Sequence, residues 1–231
     1  MPRGFPAPDT AHPLILPDGS PHAGTVFLSA VIDHPRWEVG DWSYASSFDP
    51  PPDPGWAARL APYLFEASPE RLVIGRFCQI ADGVQFITAS ANHRHDGHSS
   101  YPFAIFRGAF GGAAPSLPEP GPDTRVGNDV WIGQGARILP GAQLGDGVIV
   151  GAGAVVGGTI PPYAVVAGNP ARILRHRFDP LRIERLQAVA WWTWPIAAIL
   201  EAEAAICGAD IAELDHHAAN LGRGRRHTNV S

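Results

Sequence analysis

Three histidines stand close together in the segment SANHRHDGHSSYPF, which spans residues 90–103. They are His93, His95 and His98. An imidazole with its ordinary pKa of ~6.5 can act as a general base at neutral pH, and neutral imidazole is also a frequent metal ligand. The cluster is therefore compatible with a metal site, with one catalytic base beside two bystanders, or with a polar surface loop. The scaffold that carries the segment decides between these readings.

An aliphatic residue recurs at every sixth position in the middle of the chain. The series is Val126, Ile132, Ile138, Leu144, Val150 and Val156. A small or aliphatic residue follows four positions later each time, at Val130, Ala136, Ala142, Val148, Ala154 and Ile160. Neither a helix nor an alternating strand has a period of six. A short flat strand followed by a tight turn has this period. The pattern therefore predicts an all-β solenoid, in which such units stack on each other and bury their apolar positions.

Glycine directly follows the first aliphatic position in five of the six repeats. These residues are Gly127, Gly133, Gly145, Gly151 and Gly157. We expect them to accept backbone angles that a Cβ atom would hinder.

The same phase occurs earlier, at Ile74, Ile80 and Phe86, with Cys78 and Val84 in the second slot. A thiol in a slot for small residues is predicted to be a buried apolar group and not a nucleophile. Fainter matches place the start of the solenoid near residue 24.

The repeats stop at Phe86 and resume at Val126, so residues 88–124 are predicted to leave the solenoid as one long excursion. Its segment SSYPFAIF is apolar enough to pack, whereas the glycine-rich stretch after Phe106 reads as flexible. Such a loop could close over a neighbouring site. A second, proline-rich excursion covers residues 45–71, with a short helix expected between Gly55 and Phe65.

The remaining segments complete the predicted domain organisation. Residues 1–23 form a proline-rich N-terminal extension, residues 24–176 the repeat domain, and residues 177–231 a helical C-terminal part. Asp179 is the predicted N-cap and Pro180 the first residue of the first helix. Pro195 should break the helical stretch and so produce two helices.

The composition of the 231 residues limits the class of function. Hydrophobic residues make up 45% and charged residues 17%, as in a soluble globular chain. A formal charge of −5 without a broad basic stretch argues against nucleic-acid binding. No apolar run approaches the ~20 residues of a membrane span, and no signal peptide is recognisable, so a cytoplasmic location is expected. All 17 basic side chains are arginine, so any phosphate-binding role falls to arginine, backbone N–H groups or helix ends.

Several motifs occur in an order that resembles the xenobiotic acetyltransferases. They are the hexapeptide repeats, the loop with ANHRHDG and YPF, the restart VGNDVWIG, the exit PPYAVVAGNPAR and the later WWTWP. These hexapeptide-repeat enzymes acetylate chloramphenicol and streptogramin A antibiotics. The resemblance covers about residues 24–200. It implies a left-handed parallel β-helix with an inserted loop and C-terminal α-helices. It also implies a homotrimer that binds acetyl-CoA in clefts between its subunits.

The resemblance also implies roles for individual residues. His93 matches the family's general base, which accepts the proton of the acceptor hydroxyl, and Asn92 matches the residue beside it. The acceptor pocket would use Trp131, Tyr44 and Tyr63. We expect a hydrogen-bond acceptor to fix the tautomer of the base, but the sequence does not identify it.

The donor side is predicted from the same resemblance and from simple chemistry. The pantetheine arm of acetyl-CoA can lie along stacked coils and contact Gly133, Gly151 and Ala152. The phosphates need cations, and Arg172 and Arg175 are the nearest, with a salt bridge to the C-terminal helix as their alternative role. No metal is expected.

Three alternatives stay open at this stage. A sugar or other small-metabolite O-acyltransferase would use the same scaffold. A zinc-dependent hydratase like carbonic anhydrase would use all three histidines, but their place in one excursion suits that site poorly. A non-catalytic trimeric binding scaffold is the third. No serine or cysteine stands in a nucleophile setting, which favours direct acetyl transfer over a covalent acetyl-enzyme.

Overall fold

A computed structural model describes residues 4–108, 116, 119–208 and 210–227, with side chains up to residue 221. Most of the glycine-rich stretch on which flexibility is predicted, residues 109–118, lies outside the described residues. The chain divides into two compact units, Met1–Arg175 and His176–Ser231.

Short strands dominate the described residues up to His176. They are β1 (Thr25–Phe27), β2 (Trp37–Val39), β3 (Tyr44–Ser46), β4 (Leu72–Ile74), β5 (Gln79–Ile80), β6 (Gln85–Phe86), β7 (Thr124–Val126), β8 (Trp131–Ile132), β9 (Arg137–Ile138), β10 (Gln143–Leu144), β11 (Ile149–Val150), β12 (Val155–Val156), β13 (Thr159–Ile160), β14 (Ala164–Gly168) and β15 (Ala171–His176). Short helices interrupt them, namely α1 (Leu28–Val31), α2 (Trp56–Leu60), a 3₁₀ turn (Ala89–Ala91) and α3 (Phe103–Phe106).

Within the described residues the strands form three sheets. The first has the order β1-β3-β5-β8-β11-β14-β15, the second β13-β10-β7-β4-β2 and the third β12-β9-β6. The antiparallel pair of β1 and β3 is followed by parallel ladders among β2 to β14. Consecutive strands from β7 to β14 go to the second, first and third sheet in rotation. The predicted parallel stacking of short strands is confirmed.

The register repeats every eighteen residues, which is three hexapeptide units. Val126 lies opposite Leu144, and Ile132 lies opposite Val150. All six residues of the first aliphatic series are at most 4% exposed, and those of the second series at most 8%. Since a buried side chain of this kind stabilises the fold by roughly 1.5–3 kcal/mol, the repeat residues form the core of the first unit.

The glycines that follow the aliphatic position serve a different purpose from the predicted one. Their φ angles lie outside the left-handed region, which is occupied by other residues such as Gly135 at 67°. Instead they leave room for the next coil: a Cβ atom on Gly133 would lie 2.7 Å from the backbone nitrogen of Ala152, and one on Gly75 would lie 2.5 Å from the carbonyl oxygen of Gly127. Close approach of neighbouring backbones therefore requires glycine here.

Cys78 is a core residue, as predicted. It is fully buried, and its Sγ lies 3.0 Å from the carbonyl oxygen of Gly127. Burial raises the pKa of this thiol to about 12, so it stays protonated at neutral pH.

The second unit contains helices. The first, α4 (Pro180–Val189), begins as predicted: the carboxylate of Asp179 accepts a hydrogen bond of 3.0 Å from the backbone N–H of Arg182. The prediction of two helices is wrong. After Ala190, whose positive φ of 43° ends α4, come a 3₁₀ turn and three more helices within the described residues: Trp191–Thr193, then α5 (Ile196–Glu201), α6 (Glu203–Cys207) and α7 (Ile211–His227). Among the helices that the structure describes, none has the length and apolarity needed to cross a membrane.

Candidate active site

The third sheet carries the root of the histidine loop. After β6 the N–H of Ile87 still bonds to the carbonyl of Ile138 on the neighbouring coil, at 2.8 Å. The 3₁₀ turn follows, and the N–H of Asn92 closes it on the carbonyl of Ala89 at 2.9 Å. His93 is therefore the second residue beyond a hydrogen-bonded turn that starts at the core.

The imidazole of His93 is exposed, and its Nδ1 atom lies 3.1 Å from the backbone carbonyl oxygen of Ser100. A carbonyl oxygen only accepts hydrogen bonds, so this contact requires the hydrogen on Nδ1, and in a neutral imidazole Nε2 then keeps its lone pair. The group that orients the imidazole is thus a backbone atom seven residues farther along the same loop. Sequence reasoning missed it because every residue type has this atom.

His95 and His98 do not join His93 in a metal site. Both are exposed, and the described residues contain no group of three or more His, Cys, Asp or Glu side chains that could hold a metal ion. In the same loop Arg94 donates to Asp96 at 2.6 Å, and this hydrogen bond holds the pKa of the Asp96 carboxyl below its ordinary value.

The apolar part of the loop packs on itself. The rings of Tyr101 and Phe106 stack with centroids 5.3 Å apart, and the rings of Tyr101 and Phe103 lie 4.7 Å apart. The backbone N–H of Ala104 bonds to the hydroxyl of Ser116 at 2.8 Å. All three aromatic side chains nevertheless remain at least half exposed.

A cavity of about 790 Å³ lies on the outer face of the first sheet, and two predicted acceptor residues line it. Tyr44 of β3 is opposite Gln79 of β5, which is opposite Trp131 of β8. Strand residues alternate between faces, so burial of Ile132 in the core turns Trp131 outward, where it is 51% exposed. The structure brings Tyr44 and Trp131 into one cavity.

The N-terminal extension supplies another wall of this cavity. Leu16, Pro21 and His22 line it, together with Asp82 from the turn after β5. Within the first unit, hydrogen bonds tie the extension to the strands, one of them from the Trp42 indole to the carbonyl of Pro6 at 3.1 Å. Sequence reasoning assigned His22 no role, because nothing in its local sequence marks it.

His22 has one further property that concerns the cavity. Its Nδ1 atom is buried and has no hydrogen-bond partner within the described residues. Buried polar atoms without partners are rare, and a bound ligand is one way to satisfy them.

The other predicted acceptor residues do not reach this cavity. Among the described residues, those that line it include neither His93 nor Asn92 nor Tyr63. Tyr63 lies beyond α2 and is 44% exposed, and Asn92 is exposed beside His93. Within one chain, the candidate base and the candidate acceptor cavity are therefore separate.

The predicted donor-side residues occupy neighbouring coils. The N–H groups of Gly133 and Gly151 bond to the carbonyls of Val150 and Val166, each at 2.8 Å, so these two donors are already used. Ala152, in the next turn, is exposed.

Arg172 and Arg175 lie on β15, at the end of the first sheet. Both side chains are exposed, and Arg172 donates to the carbonyl of Ala171 at 3.0 Å.

Comparison with known proteins places this architecture in a family. The model described as "Bacterial transferase hexapeptide (six repeats)" matches residues 123–158. A chloramphenicol acetyltransferase of Morganella morganii is 37% identical over 203 residues, which cover 83% of this chain and 91% of the relative. A virginiamycin A acetyltransferase of Staphylococcus aureus is 39% identical over 191 residues, with 81% and 84% covered. A probable macrolide acetyltransferase of Lysinibacillus sphaericus is 45% identical over 133 residues, with 56% and 73% covered.

The stacked hexapeptide strands of the first unit agree with the repeats that the family model describes. At these identities and coverages the chain belongs to the hexapeptide-repeat family of xenobiotic acetyltransferases, and it is an acyltransferase. Family and enzyme class are confirmed.

Proposed function

We propose that this enzyme transfers the acetyl group of acetyl-CoA to a hydroxyl of a small xenobiotic, such as chloramphenicol or a streptogramin A antibiotic, with His93 as the general base. Family membership supports the class of reaction and of donor. The contact between His93 Nδ1 and the Ser100 carbonyl oxygen is the single observation that carries the role of the base, because it leaves Nε2 as the proton acceptor.

The proposed step needs only one proton acceptor. His93 Nε2 takes the proton of the acceptor hydroxyl while that oxygen attacks the thioester carbonyl carbon. The C–S bond then breaks, and the proton on Nε2 passes to the departing thiolate of CoA. The products are the acetyl ester and the free thiol, with no covalent enzyme intermediate. Since Cys78 is buried with a pKa of about 12, it offers no competing nucleophile.

The acceptor is proposed to bind in the cavity that Tyr44 and Trp131 line. Its volume of about 790 Å³ suits an antibiotic-sized molecule, and aromatic walls suit a partly apolar one. Asn92 and Tyr63 are proposed to complete the acceptor site from outside this cavity.

We further propose a homotrimer of left-handed parallel β-helices, in which His93 of one subunit serves the cavity of a neighbour. The register of eighteen residues and the match to six hexapeptide repeats support the helix. The absence of His93 among the described residues that line the cavity supports a site shared between copies. Trimeric state and cytoplasmic location stay predictions.

Donor contacts follow from the same arrangement. Pantetheine is proposed to run past Ala152 and along the coils of Gly133 and Gly151. The N–H groups of these two glycines are already hydrogen-bonded, so their contribution would be to let the ligand approach the backbone closely. Arg172 and Arg175 are proposed to bind the CoA phosphates.

The test is acetyl transfer from acetyl-CoA to a panel of chloramphenicol, a streptogramin A antibiotic, a macrolide and simple sugars, with the acetylated product measured by mass spectrometry. We expect an antibiotic to be the preferred acceptor and His93→Ala to lose ~10²–10⁴-fold in kcat. His95→Ala is the matched control, since His95 is an exposed histidine of the same loop, and it should retain activity within about threefold.

Two outcomes would contradict the proposal. If His93→Ala kept its oligomeric state and most of its turnover, His93 would not be the base. If sugars were acetylated and the antibiotics were not, the enzyme would be a metabolite acyltransferase on the same scaffold.

A further inference from the structure

Glu70 is a buried carboxylate that the proposed reaction does not use. It is only 2% exposed, and it lies two residues before β4, at the end of the proline-rich excursion. Burying a carboxylate is costly unless hydrogen bonds or a cation compensate. No salt bridge involves Glu70 within the part of the chain that the structure describes, so its hydrogen bonds must stabilise it.

Both oxygens of Glu70 hold Ser90, the middle residue of the 3₁₀ turn. The backbone N–H of Ser90 donates to Oε1 at 2.6 Å, and the Ser90 hydroxyl donates to Oε2 at 3.2 Å. Hydrogen bonds to an ionised acceptor are roughly twice as strong as neutral ones. The carboxylate therefore fixes the turn through its backbone and its side chain together.

The hydroxyl of Ser68 extends this network of hydrogen bonds. The hydroxyl of Ser68 lies 2.7 Å from that of Ser90, and it accepts the backbone N–H of Phe65 at 2.9 Å. Because the Ser90 hydroxyl gives its hydrogen to Glu70, the Ser68 hydroxyl must donate to Ser90. Every hydrogen in the chain then points toward the carboxylate.

The returning end of the histidine loop closes the turn from another side. A Cβ atom on Gly121 would lie 2.4 Å from the Cβ of Ala89, so the Ala89 methyl group packs directly against the backbone of Gly121. The backbone N–H of Arg71 also donates to the carboxylate of Asp123 at 2.8 Å. Glu70 and Arg71, at the end of the proline-rich excursion, therefore hold both the start and the end of the histidine loop.

From these contacts we infer that Glu70 is a positioning residue for His93. It holds the 3₁₀ turn from which His93 emerges three residues after Ser90, and so it sets the place of the imidazole in the active site. The inference rests on the proposed role of His93 as general base. A misplacement of ~1 Å in a catalytic group can cost ~10²-fold in rate, so the effect should appear in kcat.

The first test is Glu70→Gln, which keeps the size of the side chain and one oxygen but removes the charge and one acceptor. We expect kcat to fall ~10- to 100-fold while KM for acetyl-CoA and for the acceptor changes by less than about threefold. Ser90→Ala removes only the hydroxyl and should give a smaller loss in kcat. Glu66→Gln, at an exposed glutamate of the same excursion, is the matched control and should stay within about twofold.

A double-mutant cycle with His93→Ala separates positioning from a general loss of structure. If Glu70 acts through His93, then Glu70→Gln should cause no further loss in the His93→Ala background. Circular dichroism and oligomeric state are measured for each variant. Should Glu70→Gln fail to fold, Ser90→Ala takes its place in the cycle.

The outcomes are distinguishable. The inference is overturned if Glu70→Gln leaves kcat unchanged while His93→Ala abolishes turnover, and equally if Glu70→Gln lowers kcat by the same factor in both backgrounds. If His93→Ala itself retains turnover, His93 is not the base, and the inference about Glu70 fails with the proposed function. The His93→Ala variant alone identifies this case.

Discussion

The Nδ1 atom of His93 and the carbonyl oxygen of Ser100 are hydrogen-bonded across a turn of seven residues, at 3.1 Å. This contact closes the loop segment that carries all three clustered histidines, and only one of them takes part in it. It gives the imidazole a defined tautomer before any substrate binds.

The first prediction concerns that tautomer. In the free enzyme at a pH where His93 is neutral, Nδ1 should carry the hydrogen and Nε2 should be bare. Long-range ¹H–¹⁵N correlation of histidine-labelled protein measures this directly, and the His93→Ala variant assigns the signal. A bare Nδ1 on His93 would contradict the proposed direction of proton transfer.

The second prediction concerns the acceptor cavity. Trp131→Ala should raise KM for the acceptor by about tenfold or more, as loss of a large aromatic contact surface does, and leave KM for acetyl-CoA nearly unchanged. Stability should change little, because Trp131 is half exposed. Arg137→Ala, at an exposed position on the next strand, is the control. Equal effects of both variants on acceptor KM would argue against acceptor binding at Trp131.

The third prediction concerns the two cysteines. Cys207 is exposed, whereas the raised pKa of about 12 keeps the buried Cys78 protonated, with ~10⁻⁴ or less of it as thiolate near pH 8. A disulfide reagent should therefore titrate one thiol rapidly in the native enzyme and two after denaturation. Activity should survive the native reaction, and Cys207→Ser should abolish the fast phase. Inactivation of Cys207→Ser by the reagent would show that Cys78 is accessible.

The fourth prediction concerns the core of the stacked coils. Ile138 is fully buried in the third sheet, so Ile138→Ala should reduce the free energy of unfolding by ~2–5 kcal/mol. Its neighbour Arg137 points outward from the same strand, and Arg137→Ala should change it by less than about 0.5 kcal/mol. Chemical denaturation of both variants measures the difference. Similar losses of unfolding free energy in both variants would contradict the assignment of Ile138 to the buried face of β9 and of Arg137 to the exposed face.

Much of the scaffold could be predicted from the sequence because one physical rule repeats along it. An apolar side chain every six residues has to be buried, and the series from Val126 to Val156 is buried throughout. Membership of the family was equally accessible, since its motifs are contiguous stretches. The ends of the C-terminal helices were harder to predict, because an end such as Ala190 depends on backbone angles that the residue type does not indicate.

Contacts between distant segments could not be predicted. Glu70 and Ser90 meet because two irregular excursions leave and re-enter the coils side by side, and neither excursion has a periodicity from which a register follows. The carbonyl of Ser100 and the position of His22 in the cavity wall are of the same kind. These are the elements that place the candidate site, and they lie outside the repeat.

The outward row of the first sheet runs from Tyr44 through Gln79 and Trp131 to Ile149 and Val165, with one residue from each successive coil. Each of these residues is a sequence neighbour of a core residue but faces the other way. Tyr44, Gln79 and Trp131 line the cavity, so a mutation at one of these three positions can change its floor without disturbing the core beneath it. The proposed acceptor cavity can therefore change one coil at a time.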